Sequence, residues 1–329
     1  MAMWNPWRGC KRYSEGCKYC YFHKGDFKRK INTNDIVKTE DFYKPIEKLK
    51  KGKCLGQVFA IFVDQKLNFS PYNEFTKIFD RFMKELESNS SDIILVRNID
   101  ELDKAESQNK IGAFLSIEEG EVVRGSVKKL HEVYDKGIRI LTITWNYKNK
   151  LGYPNYQFKY KDKGLTEKGV NIVRECERIG ILPDASHLSD KGFYDLLDIC
   201  SKPFIASHSN ARSVTNHPRN LTDDMIKALS NKGGVMGLNF CSDFLESSGE
   251  KTASLEAIAA HAEHIKNIGG IDVLCIGSDF DGILNEVEVA DSSQFDKLYH
   301  TLKKCNFTER EIEKVFYDNV RRVFKETLK

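Results

Sequence analysis

The sequence lacks an excess of charge of either sign. Its 329 residues include 51 lysines and arginines and 48 aspartates and glutamates, which gives a net charge of +3. Proteins whose main partner is nucleic acid usually carry a strong positive charge on the binding domain. We therefore expect no nucleic-acid partner.

Long apolar runs are also missing. A run such as Val58–Val63 is far shorter than the roughly 20 residues that a membrane-spanning helix needs. Residues 1–12 contain no apolar stretch of the kind that a secretory signal requires. We therefore expect a cytoplasmic protein without a membrane partner.

The number of cysteines excludes a complete set of disulfides, because the chain has 9 of them, an odd number. Most of the dispersed cysteines lie in apolar segments, where cysteine behaves as a small buried residue. Cys10, Cys17 and Cys20 instead lie close together, with aromatic residues between them. Three thiolates at this spacing could hold an iron–sulfur cluster or, together with His23, a zinc ion. Free thiols in an irregular segment are the simpler interpretation, and we favour it.

The sequence contains no Gly-x-Gly-x-x-Gly motif after a strand, which argues against a dinucleotide-binding fold. From residue 49 onwards, short apolar strands alternate with amphipathic helices. The predicted strands are Gly56–Val63, Ile93–Val96, Ile111–Ile117, Ile138–Thr144, the runs that lead to His187 and His208, Gly234–Phe240 and Ile271–Ile276. This alternation predicts an α/β fold, a (β/α)8 barrel of the TIM type with one strand either miscounted or missing.

Residues 1–48 differ in character from the rest of the chain. The stretch Trp4-Asn-Pro-Trp-Arg-Gly-Cys10 leads into Ser14-Glu-Gly-Cys17-Lys-Tyr-Cys20-Tyr21. This pattern resembles the start of a phage-associated, radical-SAM-like family of unknown function. We therefore predict two parts, a cysteine-rich N-terminal segment of foreign origin at residues 1–48 and a barrel at residues 49–329.

Chemically capable side chains recur where the predicted strands end. These strand-end residues are Glu118, Trp145, Asn146, His187, His208 and Asp279. His187 and His208 lie 21 residues apart (208 − 187), about the length of one strand–helix unit. Because the strands of a parallel barrel end at one opening, we expect these side chains to meet there. Two imidazoles and a carboxylate with an open fourth position make a catalytic zinc set. Two histidines that merely cap their strands are the alternative.

Residues from about 49 to the C-terminus resemble the membrane (renal) dipeptidase family, whose members are amidohydrolase-like barrels with two zinc ions. The matching stretches are Ser116-Ile-Glu118-Glu-Gly120, Leu141-Thr-Ile-Thr-Trp-Asn146, Asp184-Ala-Ser-His187, Ser207-His208-Ser209, Pro218-Arg219-Asn220 and Gly277-Ser-Asp279-Phe-Asp281-Gly282. Their order, spacing and strand-end placement all agree with the family.

The resemblance implies a role for each of these residues. Glu118 would bridge the two metal ions, and His187 and His208 would bind the second ion. Arg219 would hold the C-terminal carboxylate of the substrate, a task suited to a planar guanidinium. Asp279 would carry a proton between the attacking water and the leaving amine.

Two features depart from the family. Its first strand carries a His-x-Asp pair that binds the first metal, and no His-x-Asp precedes Glu118 in this sequence. Trp145 stands where the family usually has a histidine that polarises the scissile carbonyl, and its neighbour Asn146 is expected to bind substrate. We therefore expect one zinc ion, or at most two, and weak or absent activity. A barrel without its first strand also has a gap, near which we expect Met1–Trp4.

The first hypothesis for the function is a zinc-dependent metallodipeptidase that takes a small dipeptide as its substrate. The second is a catalytically inactive barrel that binds small peptides or a partner protein. The missing His-x-Asp favours the second hypothesis, whereas the intact strand-end residues favour the first. An iron–sulfur protein built on the three clustered cysteines is the weakest alternative. The family resemblance also suggests a homodimer.

Overall fold

The structure is a computed structural model that describes residues 7–8, 37–38, 44–66, 70–246, 249 and 252–329. In the N-terminal part it describes a short antiparallel pair, in which Trp7–Arg8 (β1) lies beside Val37–Lys38 (β2). The expectations for Met1–Trp4 and for Cys10, Cys17 and Cys20 fall outside the described residues.

The remaining strands and helices alternate along the chain, as the sequence predicts. The strands are β3 (Gly56–Phe62), β4 (Ile93–Leu95), β5 (Ile111–Glu118), β6 (Ile138–Thr142), β7 (Leu182–Asp184), β8 (Ile205–Ala206), β9 (Val235–Leu238), β10 (Thr252–Ala253), β11 (Leu274–Ile276) and β12 (Glu286–Val287). The helices are α1 (Lys44–Lys51), α2 (Pro71–Ser88), α3 (Ile99–Ser107), α4 (Val127–Asp135), α5 (Glu167–Ile179), α6 (Asp190–Ile199), α7 (Asp223–Asn231), α8 (Ser242–Leu245), α9 (Leu255–Gly269), α10 (Phe295–Lys304), α11 (Glu309–Glu313) and α12 (Asn319–Thr327).

The helices begin where the sequence supplies a side chain that can accept a hydrogen bond from the first turn. Asn98, Thr166, Ser189 and Thr222 each accept a bond from a backbone N–H two or three residues into their helix. The capping box that Thr308 and Glu311 form is also present. These capping side chains explain why the helices begin at these positions.

Eight strands form one parallel sheet, which confirms the predicted α/β class. Seven of them follow one path in the order β3–β5–β6–β7–β8–β9–β11, and the short β4 pairs with the beginning of β5 beside that path. The last strand is shorter than predicted, because Ile271–Val273 forms a 3-10 turn. The amide of Asn319 donates to Ile271 O and Leu274 O on either side of that turn.

The sheet is curled like a TIM barrel but is not closed within the described residues. Its two ends are β3 and β11, and these two strands are not paired with each other in the part of the chain that the structure describes. A cavity of about 360 Å³ lies between them. Gly56 and Val58 of β3 line it, as do Cys275 and Ile276 of β11, and His208 is a further lining residue. The predicted TIM-like α/β fold is therefore confirmed, with its sheet open between β3 and β11 in the described part of the chain.

The inside of the curled sheet holds a core of its own. Phe114, Ile140, Leu182, Ile205 and Val235 lie on the five successive strands β5 to β9, form one cluster and are almost completely buried. Phe324 of α12 closes the amino-terminal end of this core, with its ring centroid 4.9 Å from that of Phe114. The polar residues described below lie at the carboxyl ends of the strands.

Helix α1 joins the N-terminal part of the chain to the sheet. Ile46 and Leu49 are buried in a cluster with Ile93 and Ile111, at the beginning of β4 and β5. The domain boundary expected near residue 49 falls within this helix. The division of the chain into two parts of different origin stays a prediction.

Candidate metal and substrate site

Glu118, His187 and His208 meet at the carboxyl end of the sheet. Glu118 is the last residue of β5, and the two histidines follow β7 and β8 within a few residues. The backbone of His187 has φ 68°, a left-handed conformation that an imidazole-bearing residue adopts only when its surroundings impose it. This turn directs the His187 ring back over the opening of the sheet.

The three donor atoms lie at distances that suit one shared ligand. His187 Nε2 is 3.0 Å from His208 Nε2 and 3.2 Å from Glu118 Oε1, and His208 Nε2 is 3.7 Å from the same oxygen. Four ligands about 2.0 to 2.2 Å from a tetrahedral zinc ion are themselves separated by roughly 3.3 to 3.6 Å. No other group of this kind occurs among the described residues.

The other ring nitrogens are turned away from the opening and face oxygen acceptors. His187 Nδ1 donates to Asn146 Oδ1 at 3.0 Å, and His208 Nδ1 lies 2.7 Å from Ser207 Oγ. A neutral imidazole that carries its proton on Nδ1 presents a lone pair at Nε2. Two such lone pairs that face each other beside a carboxylate fit a cation between them.

The electrostatics of the site agree with this assignment. Burial lowers the pKa of His187 and of His208 well below the usual value, and the positive charge of Arg219 lowers both further. Burial raises the pKa of Glu118, and the charge of Asp279 raises it further. Both histidines are therefore neutral, as metal ligands must be, and a bound cation would compensate the cost of the buried carboxylate. The residues present fit a metal ion.

Asp279 follows β11, and its backbone also has a positive φ, 59°. Its Oδ2 accepts a hydrogen bond from Asn239 Nδ2 at 3.1 Å. Burial raises the pKa of Asp279, although the charge of Arg219 opposes that rise. A raised pKa favours this carboxyl as a group that accepts and releases a proton.

Arg219 lies beneath the same opening and is buried. Its Nη2 donates to His208 O at 3.2 Å, and its Nε has no hydrogen-bond partner among the described residues. Its guanidinium carbon is 5.4 Å from the ring centroid of Phe244. A buried guanidinium with an unused donor beside the candidate metal site is suited to bind an anionic group of a ligand.

Asn146 and Trp145 are neighbours in the sequence but make different contacts in the site. Asn146 holds the His187 ring, so its amide serves a ligand of the site rather than the opening itself. Trp145 forms an aromatic wall with Phe62 and Tyr147, at centroid distances of 4.7 and 5.4 Å. The indole lies 6.3 Å from the His187 ring and makes this side of the opening apolar.

Glu119 is a residue of the site region to which the sequence analysis gives no role. It adopts φ 111° and ψ 98° and is completely buried. Its carboxylate accepts bonds from the amides of Asn149 and Gln65 and from the backbone N–H groups of Glu121 and Trp145. Burial raises the pKa of Glu119 to about 7. The side chain thereby ties the loops after β3 and β6 to the end of β5.

Asn239 and Asp184 are two further polar residues that the sequence analysis leaves without a role. Both lie at strand ends, like the residues that the analysis does select. Asp184 begins the stretch Asp184-Ala-Ser-His187, and Asn239 follows a run of apolar residues. Their position at the end of β7 and directly after β9 is the feature by which they could have been predicted as site residues.

An open α/β barrel that carries two histidines and a carboxylate at the ends of its strands is the arrangement of a barrel-fold metallohydrolase. The sequence profile of the membrane dipeptidase family, peptidase family M19, matches residues 23–329. An uncharacterized dipeptidase of Schizosaccharomyces pombe is 30% identical over 295 residues, which are 85% of this chain and 71% of that protein. The chain therefore belongs to the membrane dipeptidase family, and the resemblance seen in its sequence is confirmed.

Solved structures show the same fold. Dipeptidase AC, a metallopeptidase of family M19, has a TM-score of 0.80 at 26% identity, over 86% of this chain and 88% of that one. A metallopeptidase from Rhodobacter sphaeroides, liganded with a phosphinate mimic of the dipeptide L-Ala-D-Ala, has a TM-score of 0.78 at 24% identity. That similarity covers 86% of this chain and 89% of the other.

None of the helices that the structure describes is long and apolar enough to cross a bilayer.

Proposed function

We propose that this protein is a zinc-dependent dipeptidase whose metal is held by Glu118, His187 and His208. The observation that carries the proposal is the meeting of these three donors, 3.0 to 3.7 Å apart, at the carboxyl end of the sheet. Two neutral imidazoles and one carboxylate form a set typical of catalytic zinc. When bound, zinc would supply a water activated for attack on a carbonyl at neutral pH.

The chain's own residues supply the other requirements of dipeptide hydrolysis. Arg219 would bind the C-terminal carboxylate of the substrate through the donor that has no partner among the described residues. Asp279, whose pKa burial raises, would take the proton of the attacking water and pass it to the leaving amine. Asn239 holds the Asp279 carboxylate in place for that transfer.

The absence of a His-x-Asp before Glu118 limits the expected activity. A site without these ligands lacks the second Lewis acid that would help to hold the attacking oxygen and polarise the substrate. We therefore propose one zinc ion per chain and slow hydrolysis. The alternative is an inactive barrel that binds small peptides or a partner protein, and the same missing pair favours it.

Hydrolysis of a panel of dipeptides by the purified, zinc-loaded protein tests the proposal. We expect slow release of amino acids from wild type and none from His208→Ala, because the alanine variant loses a metal ligand. Cys17→Ala should keep the wild-type rate, because Cys17 is not among the residues proposed to bind the metal or the substrate. An inactive wild type that nevertheless binds dipeptides would favour the alternative function, and a Cys17→Ala variant that loses activity but keeps its zinc would contradict the site assignment.

The remaining expectations from the sequence stay predictions. They are the cytoplasmic location, the homodimer and the free state of the clustered cysteines. Iron and acid-labile sulfide in the purified protein would contradict the last of these.

A further inference from the structure

Asp184 lies completely buried at the end of β7, directly behind the candidate metal site. Its Oδ1 accepts hydrogen bonds from the backbone N–H groups of Ser186 and Ser207, both at 2.9 Å. Its Oδ2 accepts from Thr142 Oγ1 at 2.7 Å and from Ser207 Oγ at 2.6 Å. Four donors fill the acceptor sites of an ionised carboxylate and leave no place for a proton of its own.

The Ser207 hydroxyl connects the Asp184 carboxylate to His208 in the candidate metal site. It has one proton, and that proton points to Asp184 because a carboxylate can only accept. Ser207 Oγ therefore presents a lone pair to His208 Nδ1, which lies 2.7 Å away. The His208 ring must donate in that contact, so its proton lies on Nδ1.

We infer that Asp184 and Ser207 are positioning residues that fix His208 in the Nδ1–H tautomer and so direct its Nε2 lone pair toward Glu118 and His187. This inference rests on the proposed metal site and deepens it. Ligand-orienting hydrogen bonds of this kind typically contribute a factor of 10 to 100 to metal affinity. Asp184 is completely buried, so it acts on the site through Ser207 and the His208 ring.

Asp184→Asn is the sharpest test, because it keeps the shape of the side chain and reverses its polarity at one atom. With the amide nitrogen at the position of Oδ2, the new side chain would donate to Ser207 Oγ instead of accepting from it. Ser207 Oγ, which carries the freed proton, lies 2.7 Å from His208 Nδ1 and 3.3 Å from Ser186 Oγ. We expect it to turn to the histidine, which moves the imidazole proton to Nε2 and blocks the metal-binding lone pair.

Two measurements detect this change of the His208 tautomer and its effect on zinc binding. Nitrogen-15 spectra of the histidine rings in metal-free protein report the tautomer of His208, with Nδ1–H expected in wild type and Nε2–H in Asp184→Asn. Competition with a chelator measures zinc affinity, which we expect to fall by roughly 10- to 100-fold. Thermal unfolding shows whether the variant is folded, since Asp184 also holds Thr142 and the backbone of Ser186.

Ser207→Ala and Ser209→Ala form a matched pair that keeps Asp184 intact. Ser207→Ala removes the acceptor of His208 Nδ1–H, so we expect mixed tautomers and weaker zinc binding. Ser209 Oγ is buried without a hydrogen-bond partner in the described part of the chain, so Ser209→Ala should bind zinc like wild type. If Asp184→Asn fails to fold, the comparison of Ser207→Ala with Ser209→Ala tests the inference on its own.

Wild-type zinc affinity together with an Nδ1–H ring in both Asp184→Asn and Ser207→Ala would overturn the inference. A wild-type protein that binds no zinc would contradict the proposed function instead. The tautomer of His208 in the metal-free protein would still decide the role of Asp184 and Ser207 in that case.

Discussion

His187 Nε2 and His208 Nε2 lie 3.0 Å apart, although the Nδ1 atom of each ring already has an oxygen acceptor. Two rings in this state turn lone pairs toward each other, which is unfavourable unless a cation lies between them. Glu118 Oε1 closes the third side of the same space. The three side chains are thus arranged to bind a cation that is not part of the protein chain.

The first prediction concerns the number of metal ions. The purified protein should contain at most one zinc per chain, because no His-x-Asp precedes Glu118 to bind another. Elemental analysis after gel filtration measures this ratio. Affinity should fall as the pH drops, since protons compete for the ligands.

His264 offers a matched control for that measurement. It pairs with Asp223 on the outside of the barrel, so His264→Ala should keep the zinc content that His187→Ala loses. Two tightly bound zinc ions in wild type would show that ligands for a first metal exist elsewhere in the chain.

The second prediction concerns Arg219 and the substrate's carboxylate. Arg219→Lys keeps the positive charge but loses the planar pair of donors, so kcat/KM for a dipeptide should fall by roughly 10- to 100-fold, mainly through KM. A dipeptide amide lacks the carboxylate and should be affected much less. Equal losses for the two substrates would mean that Arg219 supports the site structurally and does not bind the carboxylate.

Much of the site could be predicted because its residues follow a simple rule of the fold. Glu118, His187, His208 and Asp279 each lie at or just after the carboxyl end of a strand, and a parallel sheet brings such positions together. The rule does not say which way a side chain turns. Asn146 faces His187 instead of the opening because the Nδ1–H of that ring needs an acceptor.

Glu119 shows where sequence reasoning stops. A glutamate beside Glu118 looks like an ordinary residue of a polar loop, whereas it is completely buried and adopts φ 111°. Its conformation depends on donors from Gln65 and Asn149, which are distant in sequence. Contacts of this kind become visible only when the sheet has brought the loops together.

The third prediction uses His261, a buried histidine outside the metal site. Its Nδ1 accepts from Ala211 N–H at 3.1 Å, and its Nε2 donates to Leu245 O at 3.0 Å. Burial lowers the pKa of His261 to about 4. The unfolded chain takes up a proton here near pH 6.5, whereas the folded protein does so only near pH 4. The free energy of unfolding should therefore fall as the pH drops through this window, by about 3 kcal/mol from this one residue.

Urea unfolding of metal-free wild type and His261→Gln between pH 7 and pH 4 tests that value. The glutamine variant should be less stable at pH 7, because it cannot keep both hydrogen bonds in place. It should also lose less stability on acidification than wild type does. Parallel pH profiles for the two proteins would contradict the assigned pKa shift.

The last prediction concerns the open edge of the sheet at β3. Leu55 O and Val63 N bond to Gly112 N and Glu118 O, so the odd-numbered residues of this strand face β5. Because neighbouring residues of a strand point to opposite sides, the amides of Val58 and Ala60 face the other edge of β3, which is unpaired among the described residues. Amides that face an unpaired edge have no backbone acceptor and exchange their hydrogen with solvent readily.

Hydrogen exchange resolved to single residues should therefore alternate along β3. Amides of odd-numbered residues should exchange slowly, like those of β5, and the amides of Val58 and Ala60 should exchange at least roughly tenfold faster. β11 should show the same contrast with the central strands. Uniform protection along β3 would instead mean that a further strand, from outside the described residues or from a second copy of the chain, occupies the cavity. Removal of that strand should then open the site around His208, which lines the same cavity.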